Sequence, residues 1–118
     1  MDFITIAKQR MSVRNYKKTK VEPEKLEKIL EAAHVAPTAA NLQPVHLIAV
    51  QSEEGLAKIG KAASIYEAPL AIIVCADHNK AWMRPFDQKQ TGDIDASILM
   101  QDSGFSAQWQ SILCDDYG

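Results

Sequence analysis

Two short stretches carry residue types that could do chemistry: "RMSVR", residues 10–14, and "PTAANLQP", residues 37–44. In the first, Arg10, Ser12 and Arg14 alternate. In extended backbone, positions i, i+2 and i+4 project to one side. Two guanidinium forks and a hydroxyl gathered there would make a phosphate clamp, because Arg donates in pairs and Ser adds a short-reach hydrogen bond. An exposed basic turn after a helix has the same spacing. In the second stretch, small side chains at 38–40 allow close approach to the backbone, and Thr38, Asn41 and Gln43 offer donors and acceptors. Backbone N–H groups of Thr38 and Ala39, released from a helix, need partners. A planar heterocycle rich in carbonyl and nitrogen acceptors could supply them. A helix-to-strand connection held by Asn and Pro accounts for the composition as well.

Other candidates carry less. His34, His46 and His78 are scattered without HxH or HxxxH spacing, so no metal site is expected. Asp93 and Asp95, two apart, diverge on a helix and read as helix-start acids rather than an acid–base pair. Cys75 lies in an apolar run and should be inert. Trp82, Phe86 and Trp109 fit a packed core better than a pocket lining. No GxGxxG or GxxxxGK[ST] loop is present.

The elements that must position the two stretches are legible from periodicity. Residues 2–10 form a short helix capped by Asp2, with Phe3, Ile6, Ala7 and Arg10 at helical spacing. "VEPEKLEKILEAAHVA" is the clearest helix: Pro23 suits its first turn, and Leu26, Ile29, Leu30 and Ala33 form one apolar face. Glu24 and Lys28 are spaced for an i,i+4 ion pair. Pro37 then disfavours helical geometry at Ala36. "VHLIAV" reads as a strand, "EEGLAKIGKAAS" as a helix weakened by Gly60, and "PLAIIVCAD" as a strand apolar on both faces, expected at the centre of a sheet. A polar loop with aromatic inserts, residues 78–93, leads to a last helix opened by "DIDASILM", whose apolar face starts at Ile94 and Ile98. Gln101, Asp102 and Ser103 interrupt that face before Phe105 and Trp109 resume it.

The chain has 118 residues, 47% hydrophobic and 24% charged, which fits one domain with a real core. No apolar run approaches the roughly 20 residues that span a bilayer, and the N-terminus lacks the layout of a secretory signal. Cys75 and Cys114 form no CxxC pair, which fits a reducing, cytoplasmic setting. The net charge of −2 conceals a basic start. Lys8, Arg10, Arg14, Lys17, Lys18 and Lys20 face only Asp2 within the first 20 residues. That points to a local anion site or a solvated helix end. With only Phe3 and Tyr16 nearby, it makes a thin platform for nucleic acid.

In order and spacing, "RMSVR", the helix ending in "APTAANLQP", the strand "VHLIAV", "EAPLAIIVCAD" and "GDIDAS" resemble the nitroreductase family of flavin enzymes, over roughly residues 1–100. The resemblance implies an α+β fold with a central, mostly antiparallel sheet flanked by helices, incomplete at the C-terminus. It also implies a homodimer with FMN at the subunit interface. Electrons would pass from NAD(P)H to nitro compounds, quinones or similar small acceptors, with no nucleic acid or membrane partner. By the same resemblance, Arg10 and Ser12 would hold the FMN phosphate. Arg14 would lie near the pyrimidine edge of the ring, where positive charge favours reduced flavin. Pro37, Thr38, Ala39 and Asn41 would reach the flavin of the other subunit. The protein would position and tune the cofactor, with no catalytic side chain and no metal.

Three departures from the family pattern bear on this. Val45 stands where the family usually has Trp. Ala39 replaces a common Ser and offers only backbone atoms. Residues 101–118 form a divergent tail that matches only at Gly104, where the family continues into a Gly-rich loop, a strand and a late basic residue. Two other expectations follow: a flavin-poor remnant that serves only as a dimerising domain, or a small anion-binding module.

Overall fold

The computed structural model describes residues 2–109. Helix α1 (Phe3–Gln9) begins where Asp2 accepts a hydrogen bond from the Thr5 N–H at 2.8 Å. Thr5, through its side chain first and its backbone N–H second, holds the Asp2 carboxyl below its ordinary range. No residue of α1 is buried, and Phe3 and Ile4 stand in solvent. It ends at Arg10, whose ψ of 131° turns the chain into extended backbone.

Helix α2 (Pro23–His34) uses its expected face. Ile29 and Ala33 are buried, with Leu26 and Leu30 half-buried beside them. Among the described residues the pair expected between Glu24 and Lys28 is not formed; Lys25 reaches Glu22 at 3.7 Å instead. A short 3-10 turn, Ala39–Asn41, and the buried Pro44 lead into strand β1 (Val45–Val50). Helix α3 (Glu53–Ala62), capped by the Ser52 hydroxyl on the Gly55 N–H at 3.1 Å, returns the chain to strand β2 (Ala71–Ala76).

The two strands pair antiparallel, from Val45 opposite Ala76 to Val50 opposite Ala71. The Asp77 N–H extends the ladder to the Pro44 carbonyl at 2.7 Å. Among the described residues β2 therefore has one neighbour, not the two expected of a central strand. Its two-faced apolar character is spent otherwise. Ala71, Ile72 and Val74 line a groove, while Ile73, directly opposite Ile48, is exposed on the other face.

Between β2 and the last helix the chain forms a hairpin-like loop rather than an irregular one. Met83 bridges Gln90, and the Thr91 N–H reaches the Trp82 carbonyl at 2.9 Å. At its tip Arg84 forks onto Asp87, at 3.1 and 2.5 Å, and stacks over the Phe86 ring at 5.1 Å. Phe86 is 81% exposed and Trp82 half-buried, so neither forms the core. The Trp109 side chain lies outside the described residues.

Helix α4 (Gly92–Trp109) packs chiefly on α2 and then on the two strands. Its buried stripe is Asp95, Leu99 and Ser103, four apart, and not the expected face, since Ile94 is 57% exposed. Two polar residues can occupy that stripe because each is bonded there. The Ser103 hydroxyl lies 2.9 Å from the Leu99 carbonyl and 3.0 Å from that of Met100, satisfied within its own helix. Asp95 finds partners outside the helix. The resumption of the face at Phe105 and Trp109 lies outside the described side chains.

Candidate functional site

The first segment runs from Arg10 to Tyr16. Arg10, Ser12 and Arg14 are exposed, and Val13 is half-buried. Among the described residues neither Arg10 nor Arg14 pairs with a carboxylate, so both guanidinium forks are open to an anion. The donor set of two forks and a hydroxyl suits a phosphate. Tyr16 closes the segment by donating its hydroxyl to the Val13 carbonyl at 3.0 Å. Burial raises the Tyr16 phenol above its ordinary range, and Tyr66 nearby adds to the rise.

Arg10 also lines a groove of about 910 Å³. Strand β2, the second half of α4, the turn around Tyr66, Ile29 of α2 and the apolar side chains of the 10–16 segment all contribute to its lining. Ser12, Arg14 and residues 37–41 are outside its lining.

The second segment, 37–43, is built from unusual backbone. Ala40, Asn41 and Gln43 have φ of 54°, 53° and 50°. The left-handed region costs a non-glycine L-residue roughly 1–2 kcal/mol, and the described glycines take none of these positions. Side-chain bonds hold the loop in place of glycine freedom. The Gln43 N–H donates to Thr38 Oγ1 at 3.0 Å, and Gln43 Nε2 to Asn41 Oδ1 at 3.3 Å. Within the turn the Asn41 N–H reaches the Thr38 carbonyl at 3.0 Å. Pro37 and Asn41 are exposed, and Thr38 and Ala39 half-buried. The Thr38 hydroxyl keeps its own proton to donate, and the Asn41 amide nitrogen faces no acceptor among the described residues.

The Ala39 N–H is already engaged. It donates to Asp95 Oδ1 at 3.1 Å. Any contact from Ala39 to a ligand therefore comes from its carbonyl or methyl. The sequence reading missed Asp95 as a functional candidate. The two acids do diverge: Asp93 meets His78 Nε2 at 2.7 Å on the surface, and Asp95 turns inward. The available signal was Thr91, four residues before Asp95, whose hydroxyl lies 3.3 Å from Asp95 Oδ2.

Three comparisons bear on this arrangement. A family model described as the nitroreductase family matches residues 7–66, which contain both segments. A nitroreductase family protein from Clostridium difficile 630 is 53% identical, with a TM-score of 0.89 over 93% of this chain and 64% of its own. An FMN-dependent nitroreductase from Clostridium difficile R20291 is 33% identical, with a TM-score of 0.74 over 92% and 61%. A protein of Methanothermobacter thermautotrophicus with the provisional description NADH dehydrogenase/NAD(P)H nitroreductase is 33% identical over 118 residues, which cover 95% of this chain and 62% of the relative. The chain thus spans under two thirds of the length of these relatives.

Proposed function

Because the chain belongs to the nitroreductase family, we propose that it takes part in FMN-dependent electron transfer from NAD(P)H to a nitro compound, quinone or similar small acceptor. The observation that carries this reading is the pair of exposed guanidiniums after α1 that pair with no carboxylate among the described residues, within a matched stretch that also holds the 37–43 loop. Bound FMN would supply the redox chemistry. The work of the chain is to bind and orient it.

In this reading Arg10 and Ser12 grip the phosphate and Arg14 places positive charge beside the ring. Pro37, Thr38, Ala39 and Asn41 contact the flavin of a second copy, so the site is completed in a homodimer of single-domain subunits in the cytoplasm. The 118 residues span 64% of the Clostridium difficile 630 protein, so contacts made by the remainder of such relatives are not in them.

The test is anaerobic. The protein is reconstituted with FMN, and NADH or NADPH is added. The flavin absorbance should bleach faster than for free FMN and return on addition of a quinone or nitroaromatic. No acceleration with either nucleotide would overturn the proposal.

A further inference from the structure

Asp95 is 2% exposed, yet its carboxyl has work to do at both oxygens. Oδ1 accepts the Ala39 N–H at 3.1 Å, across 56 positions of sequence. Oδ2 lies 3.3 Å from the Thr91 hydroxyl, which is also 3.3 Å from the Trp82 carbonyl. A hydroxyl has one proton, so Thr91 shares it between two acceptors. A chain of polar contacts thus runs from the hairpin-like loop at Trp82, through Thr91 and Asp95, to the loop at 37–43.

We infer that Asp95 is a positioning residue that fixes the conformation of the 37–43 loop through the Ala39 N–H. The other side-chain bonds of that loop, Gln43 to Thr38 and Gln43 to Asn41, are made within it. They can stabilise its shape but cannot register it against the body of the protein. Asp95 does so from a helix packed on α2. The left-handed residues Ala40, Asn41 and Gln43 follow immediately, and they persist only where the surroundings hold them. Where the loop contacts flavin, which rests on the function proposed above, Asp95 acts on binding without touching the cofactor.

The two acceptor roles make a specific prediction about replacements. In Asp95→Asn the side-chain carbonyl can still accept from Ala39. Its NH2 can donate to the Thr91 oxygen, leaving the Thr91 proton wholly for the Trp82 carbonyl. Each group that contacts Asp95 keeps its partner, so Asn should rescue. In Asp95→Leu the size is kept, but the Ala39 N–H and the Thr91 hydroxyl lose a partner. Losing a hydrogen bond to a charged group corresponds to about tenfold or more.

The experiment follows amide exchange in 15N-labelled wild type and both variants, together with FMN affinity. In wild type the Ala39 amide should exchange at least about tenfold more slowly than that of exposed Ala40. Asp95→Leu should abolish that difference and weaken FMN about tenfold or more, with α2 and α4 amides still protected. Asp95→Asn should stay within about threefold of wild type on both readouts. A wild-type Ala39 amide as fast as Ala40 would overturn the inference without any variant, which covers the case of Asp95→Leu failing to fold. An Asn variant as impaired as Leu, or a Leu variant with unchanged Ala39 exchange, would also overturn it. If wild type takes up no FMN at all, the proposed function falls, and the amide measurements still decide the role of Asp95.

Discussion

Tyr16 donates its hydroxyl to the Val13 carbonyl at 3.0 Å, and this bond closes the backbone around Arg14. The contact gives the segment a fixed point beside Arg14. Replacing Tyr16 with Phe keeps the ring and removes the bond. A net loss of about 1 kcal/mol in stability is expected, measured by urea denaturation at neutral pH.

The same residue sets an alkaline limit. Burial and Tyr66 raise the Tyr16 phenol, so the folded state keeps its proton where the unfolded chain has begun to release it. The stability from this shift is fully present below about pH 10, the unfolded value, and is lost as pH rises through the folded value. Wild type should therefore lose stability above about pH 10 faster than Tyr16→Phe. Parallel curves in the two proteins would remove the assignment.

The glycines of α3 should respond in opposite directions. A methyl at Gly60 meets nothing within 4 Å, so Gly60→Ala should gain helix propensity and stabilise by up to about 1 kcal/mol. A methyl at Gly55 would come within 2.6 Å of Val50 Cγ1 and 2.8 Å of Ser52 Oγ. Gly55→Ala should therefore destabilise, by about 1–3 kcal/mol, since both the strand contact and the helix cap must shift. Thermal melts of the two variants check the pair.

Gln88 holds φ of 59° at the turn of the 82–91 loop. Gln88→Gly relieves roughly 1–2 kcal/mol of left-handed strain. It adds about 0.5–1 kcal/mol of unfolded-state entropy, and it gives up an exposed bond to the Pro85 carbonyl. A net change from zero to about 1 kcal/mol of stabilisation is expected. A clear loss in a denaturation curve would show that the Gln88 side chain anchors the turn.

Much of this architecture was legible because it rests on local rules. Asp2 caps a helix where a short polar side chain precedes apolar periodicity. Ile29 and Ala33 fall on the face their spacing marks, and Pro44 opens β1 at Val45. The face of α4 was not legible. Ile94 and Ile98 obey the periodicity, while the buried positions include Asp95 and Ser103. Burial of Asp95 depends on an N–H 56 residues away, which no local pattern encodes. The expected central place of β2 is not seen among the described residues, where β2 has one strand neighbour and Ile73 is exposed. Arg10, Ser12, Arg14 and residues 37–44 stood out by type and spacing as candidates, each stretch with a plain structural alternative, and their roles toward a flavin came from the family resemblance. The left-handed backbone of the loop did not, since neither Ala40 nor Gln43 announces it.

The central claim is that this chain grips FMN by its phosphate through the segment after α1. The most direct measurement is equilibrium dialysis of FMN and of riboflavin, which lacks the phosphate, against wild type and Arg10→Ala. Wild type should bind FMN at least about tenfold more tightly than riboflavin, reflecting charge-assisted bonds to the phosphate. Arg10→Ala should collapse most of that difference while leaving riboflavin affinity nearly unchanged. Equal affinity of wild type for the two flavins, or an Arg10→Ala variant that weakens both alike, would contradict the account.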